Sequence, residues 1–297
     1  SDSFDGRAEA RILGMAIPNI LIGFTLFAVI MFRGKKTYSK KYWKFCLPLS
    51  MPLIFHGLSQ IILSQADKIM LQKFTTGEIV GIYSFVVTFT HLINVIWLAF
   101  NNTWVPFYFD DMKNRNVENI KKKTKNYVFL FTGIVCGFML VSPEVAKLFV
   151  SSEFWGGINL IPIFSVCMYM VFLYSFPVNF QFFYNRSLNI AIGTGLSAVL
   201  NIVLNFILIP RFGMYGAAIA TLIAYISLFA FHQFIARYII GRAYHFGYKD
   251  YWASMLFVAG NVALAYCLQG YWYARWVIAA GIGIVLVARI VKNKKLF

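Results

Sequence analysis

One apolar stretch of this 297-residue chain holds an imidazole, two amides, two hydroxyls and a carboxylate beside an ammonium. The residues are His56, Ser59, Gln60, Ser64, Gln65, Asp67 and Lys68. On a helix, steps of three and four bring side chains together, so Ser64, Asp67 and Lys68 share a face that Gln60 and His56 continue. The next apolar stretch carries His91, Asn94, Asn101 and Asn102, with His91 and Asn94 one turn apart. Such groups can hydrogen-bond a polar solute, exchange protons or hold a cation. Inside a bilayer they are costly and usually mark a pathway. Two consecutive helices with polar stripes predict a hydrated cavity. Plainer readings stand beside this one: Asp67 and Lys68 as a charged pair at a helix end near the interface, and His56 and His91 as interhelical hydrogen bonders.

These residues require helices across a membrane to position them. The chain is 60% hydrophobic with a mean hydropathy of +0.68, yet its formal net charge is +16. Its charges fall in clusters between apolar runs long enough to cross a hydrocarbon core. Nine spans are expected, near residues 11–32, 45–71, 79–107, 127–150, 158–184, 188–209, 216–240, 251–268 and 276–291. Backbone in lipid must satisfy itself as a helix or a closed barrel, and continuous apolarity without period-two alternation excludes the barrel. The expected fold class is therefore an all-α, polytopic membrane protein. With nine spans, 20 of the 27 Lys and Arg lie on one side and seven on the other, while four of the 11 acidic residues share the basic side. The positive-inside rule makes that side cytosolic, with the first residue outside and the C-terminal tail in the cytosol. A chain that opens Ser-Asp-Ser-Phe outside the membrane, with no signal pattern, implies preceding spans.

Several chemistries are disfavoured. Cys46, Cys136, Cys167 and Cys267 are isolated and form no Cys-x-x-Cys pair, and His56, His91, His232 and His245 show no metal-ligand spacing. The outer loops are too short for a catalytic domain, so an enzyme is not expected, and no cofactor or nucleic-acid partner is implied. Basic clusters such as Lys121-Lys122-Lys123 set orientation and touch anionic lipid head groups. Trp and Tyr near span ends, Tyr42, Trp43, Trp252, Trp272, Tyr273 and Trp276, read as interfacial anchors. Gly133 and Gly137, and Gly193, Gly195 and Ser197, mark close helix contacts. Pro18, Pro48, Pro52, Pro162 and Pro177 fall within spans, where they bend helices.

The run from Leu63 through Asp67, Lys68, Gly77 and Gly81 to Tyr83 and Ser84 resembles the seventh-to-eighth helix junction of polysaccharide-biosynthesis flippases. These belong to the superfamily that includes the multidrug and toxic-compound extruders. The run Ile209-Pro210 through Gly213, Gly216, Ala217, Ala218 and Ala220 to Thr221 is similar to that family's eleventh-to-twelfth helix turn, where glycines and alanines let two helices reverse tightly. Leu47-Pro48 through Pro52-Leu53 resembles the opening of its second lobe. Lys68 stands where the family commonly has Arg, which keeps charge but changes geometry.

The resemblance implies helices 6 to 14 of a 14-helix, two-lobe exporter. Residues 1–32 would be the last helix of the N-terminal lobe, 33–44 a cytosolic inter-lobe loop, 45–240 the C-terminal six-helix lobe, and 241–297 two additional helices with a basic tail. It further implies flipping of an undecaprenyl-pyrophosphate-linked oligosaccharide across the bacterial cytoplasmic membrane by alternating access. The partners would be that lipid-linked glycan, membrane lipids and a coupling ion, proton or sodium. Arg11 and Lys68 are candidates to attract the pyrophosphate, and Asp67 and His56 are candidate coupling-ion groups. His56, Gln60, Ser64, His91, Asn94 and Asn101 complete the candidate cavity set. A multidrug-type exporter of the same superfamily, a membrane polysaccharide polymerase or glycosyltransferase, and a non-transporting scaffold are the alternatives.

Overall fold

The computed structural model describes residues 2–35, 38–241, 246 and 249–292, and among them it is helical with no strand. The helices are α1 (Asp2–Gly34), α2 (Lys40–Phe74), α3 (Gly77–Lys113) and α4 (Val117–Phe149), then α5 (Ile161–Phe183), α6 (Ser187–Phe234), α7 (Lys249–Cys267) and α8 (Trp272–Lys292). A 3₁₀ segment, Ser152–Leu160, leads into α5, and a π-helical turn, Ile235–Ile240, extends α6. Two compact units divide the chain at Met51/Pro52. The first is α1 with the opening of α2; α1 presents apolar side chains such as Leu21, Phe24 and Phe32 outward along its length.

The second unit is built around α5. Its sequence is apolar on every face, the pattern of a helix surrounded by others, and α3, α4 and α6 pack against it. Where α3, α4 and α5 meet, aromatic rings interleave. Phe131 stacks on Phe172 at 4.2 Å between centroids, Tyr127 meets Phe172 edge-on at 5.1 Å, and Trp104 stacks on Tyr127 at 5.6 Å. In lipid such contacts carry helix association through dispersion and shape, since apolar side chains gain little by leaving an apolar solvent. On its outer side α4 packs against α7 and α8.

The helices overrun the apolar stretches on the basic side. The segment between the expected third and fourth spans, residues 108–126, is helical on both sides of a short turn at 114–116. Asn116 caps α4 by accepting from the Asn119 amide at 3.2 Å. Asp111 then accepts from Asn119 Nδ2 at 2.8 Å and pairs with Lys123 at 3.2 Å. Lysine-rich sequence propagates a helix well outside lipid, so hydropathy marks the hydrocarbon and not the helix end.

Span counting turns on α6. Together α6 and its π-helical extension run 54 residues, far more than one crossing needs. The break is Gly213, at φ 53° and ψ −132°, a backbone region closed to residues with a Cβ. It separates a first arm, 187–212, from a second, 214–240. Three residues on, a Cβ at Gly216 would stand 2.3 Å from the Leu208 carbonyl oxygen, so the second arm leaves against the backbone of the first. Among the described residues six elements are long and apolar enough to cross, and Lys40–Pro48 with Ser50–Phe74 makes a seventh when the bent pair is taken as one span. The break at Gly213 divides one of these into two arms, and Tyr251–Cys267 is a shorter apolar helix. Pro162 does not bend a span as expected; it stands in the first turn of α5, where its missing N–H costs nothing.

Candidate substrate cavity

Four of the polar residues singled out from sequence line one cavity in the second unit. Gln60 and Ser64 come from α2, and His91 and Asn94 from α3. Ile61, Trp97, Met168, Val171, Tyr174 and Tyr225 complete a space of about 280 Å³. Helical spacing explains the α2 and α3 pairs: positions 60 and 64, and 91 and 94, lie on single faces. Gln60 donates to the Tyr174 hydroxyl at 2.9 Å, which fixes the amide at the junction of α2 and α5. Ser64 turns back to its own helix, donating to the Ile61 carbonyl at 3.1 Å. His91 and Asn94 make no side-chain hydrogen bond to another described residue, leaving their polar atoms free for a solute.

The remaining candidates take other positions. Asp67 does not share an exposed face with Lys68. It is 2% exposed and turns inward, accepting a short hydrogen bond from the Tyr83 hydroxyl of α3 and another from the Lys68 amide at 2.8 Å. Positions 67 and 83 both lie in the first junction motif, and this bond closes the α2–α3 turn. Lys68 is half-buried, donates to Gln65 at 3.1 Å and pairs with no carboxylate among the described residues. His56 bonds Thr194 at 2.7 Å, joining α2 to the first arm of α6, and Asn101 accepts from Asn179 Nδ2 at 3.1 Å, joining α3 to α5. The side chain of Arg11 and all of His245 lie outside the described residues.

Behind the cavity runs a buried polar chain that sequence reading did not assemble. Thr221, on the second arm of α6, accepts from Asn201 Nδ2 of the first arm at 3.3 Å. Asn205 Nδ2 donates to Asn201 Oδ1 at 3.0 Å, and the Asn205 side-chain oxygen Oδ1 is buried with no partner among the described residues. A second group joins α5 to α6. His232 is fully buried, bonds Gln181 at 3.0 Å and stacks near Tyr174 at 6.0 Å between centroids. It passes so close to Gly193 that a Cβ there would meet its ring at 2.8 Å. The signal for both groups was in the sequence, as polar residues inside apolar spans with Asn201 and Asn205 one turn apart. What joins them is tertiary.

Residues 6–112 carry the sequence similarity that accompanies this geometry, from α1 to the end of α3. They match the polysaccharide biosynthesis protein family. The family match thus takes in the α2–α3 junction, with Asp67, Tyr83 and the cavity residues of both helices. A Haemophilus influenzae protein described as an uncharacterized membrane protein is 25% identical over 200 residues, covering 65% of this chain and 49% of that protein. The chain therefore spans about half the length of that relative. No solved structure matches it significantly. The findings agree on a multi-pass, all-α membrane protein resembling those of polysaccharide biosynthesis.

Proposed function

We propose that this chain is part of a transporter that moves an undecaprenyl-pyrophosphate-linked oligosaccharide across the bacterial cytoplasmic membrane by alternating access. The cavity between α2, α3 and α5 is the observation that carries this reading, and the family match supports it. Gln60 and Asn94 present both donors and acceptors, the mixture that sugar hydroxyls require. Trp97, Tyr174 and Tyr225 add flat amphipathic faces on which sugar rings can lie. At about 280 Å³ the space sits just under the ~300–1,000 Å³ of small-ligand sites, suited to one or two sugar units against one wall.

In this reading residues 45–240 form one six-helix lobe, 1–32 end the lobe before it, 33–44 link the two in the cytosol, and 241–297 add two helices and a cytosolic tail. Lys68 attracts the pyrophosphate, and the lipid tail stays in the bilayer. Asp67, bonded to Tyr83 across the α2–α3 turn, suits the coupling-ion role, and His56 is its alternative.

The deciding experiment measures which leaflet holds the lipid-linked glycan. Cells lacking the gene should accumulate it in the inner leaflet, and the full-length protein should restore export. Gln60→Leu combined with Asn94→Leu, present at normal level, should not. Outer-leaflet glycan in the deletion strain, or full export by the double variant, would remove the cavity from the pathway.

A further inference from the structure

A second cavity, of about 660 Å³, lies between α4, α7 and α8. Its walls are apolar, with Val128 and Phe129 from α4, Phe257 from α7, and Ile282 and Val285 from α8. Lys125 and Arg289 also line it. They share one end of the slot, because Arg289 donates to Asn126 at 3.3 Å, beside Lys125, and lays its guanidinium over Phe129 at 4.0 Å. Neither cation pairs with a carboxylate among the described residues; the ion pairs found there are Lys123–Asp111 and Arg275–Glu144. The Arg289 Nε is buried without a partner among them.

Two cations that pair with no described carboxylate, at the head of an apolar slot, call for a ligand with one anionic group on an apolar tail. A bilayer supplies that chemistry as glycerophospholipid. The phosphodiester can bridge an ammonium and a guanidinium, and basic pockets between membrane helices recognise lipid head groups in this way. An acyl chain fits a narrow slot walled by Phe, Val and Ile. A zwitterionic head group would bring a third cation to the same end. We propose that this crevice binds an anionic glycerophospholipid, its phosphate on Lys125 and Arg289 and one acyl chain along α4 and α8. The site is independent of the transport reading and needs only that the chain spans a bilayer.

The test is native mass spectrometry of the full chain in detergent, titrated with phosphatidylglycerol or phosphatidylethanolamine of identical acyl chains. Phosphatidylglycerol should be retained preferentially. Lys125→Ala, at an exposed position, should weaken that retention roughly fivefold, and Lys125→Arg should restore it. Gly281→Leu supplies a control on shape. A Cβ at Gly281 meets nothing within 4 Å, so the new side chain enters the slot and should displace lipid without lowering the lipid-free melting temperature. Equal retention of the two lipids would overturn the proposal, as would lipid binding that neither Lys125→Ala nor Gly281→Leu alters. Displacement of phosphatidylglycerol by an equal concentration of a polyprenyl phosphate would assign the crevice to an isoprenoid lipid instead.

Discussion

Asp67 separates stability from chemistry at the level of one residue. Its carboxylate holds the Tyr83 hydroxyl inside the helix bundle. Tyr83→Phe removes that donor from a buried carboxylate and should destabilise the protein by ~1–2 kcal/mol, read as a lower melting temperature in detergent. Asp67→Asn keeps an acceptor for Tyr83 and should melt within a few degrees of the parent, yet abolish glycan export if the coupling ion binds there. Full export by a stable Asp67→Asn variant would end that role. The sequence made Asp67 legible as a polar group in an apolar span, and the spacing rule put it on a face with Ser64 and Lys68. The rule could not show that Tyr83, sixteen residues on, would turn the carboxylate inward. Gln60, Ser64, His91 and Asn94 were legible because each pair lies on one helix. Tyr174, Tyr225 and Trp97 were not, since aromatic residues in a membrane helix look alike whether they face lipid, core or cavity.

At the level of elements, the break at Gly213 is the feature most open to test. An alanine there must adopt φ 53°, with a cost of ~1–3 kcal/mol. Gly216→Ala drives a methyl into the Leu208 carbonyl, and splaying the arms apart should cost at least as much. Both variants should lose folded yield and melt early, whereas Gly270→Ala, in open space between α7 and α8, should not. Parent-like melting of Gly216→Ala would mean the arms are not held by this contact. The turn was legible from the Pro210–Gly213–Gly216 pattern, and the division of labour between glycines was not. Gly133 and Gly137 show the same limit: a Cβ at Gly133 would strike Leu286 of α8, while one at Gly137 meets nothing within 4 Å. The motif marks a helix suited to close contact without saying which glycine makes it.

For the whole molecule, the charge distribution is the strongest claim made from sequence, and it is testable apart from transport. A cysteine replacing Lys122, with the native cysteines removed, should react with an impermeant maleimide only after the cytosol is opened. Labelling in intact cells would invert the topology. Fold class was readable at this scale because apolar length and charge are properties of whole segments. The lateral order of the helices, with α5 enclosed and α8 peripheral against α4, depends on side-chain shape and left no comparable trace.

The ion pair between Arg275 and Glu144 bears on how the protein is made. Arg275 is 3% exposed at the start of α8, and its partner sits near the end of α4, 131 residues earlier. Trp276 of α8 also approaches Glu144, at 3.4 Å. During synthesis α4 therefore enters the bilayer with a carboxylate whose counter-ion has not yet left the ribosome. The arrival of α8 then neutralises a charge the nascent chain has carried for 131 residues. A chain stopped after α7, or Arg275→Leu at full length, should be degraded faster than the parent in a pulse-chase. Breaking one side of the pair should cost toward the low end of ~3–5 kcal/mol, since Glu144 keeps some contact with solvent. Pairing Arg275→Leu with Glu144→Leu should return much of the lifetime, and a half-life unchanged by the single substitution would show that the cell does not read this pair.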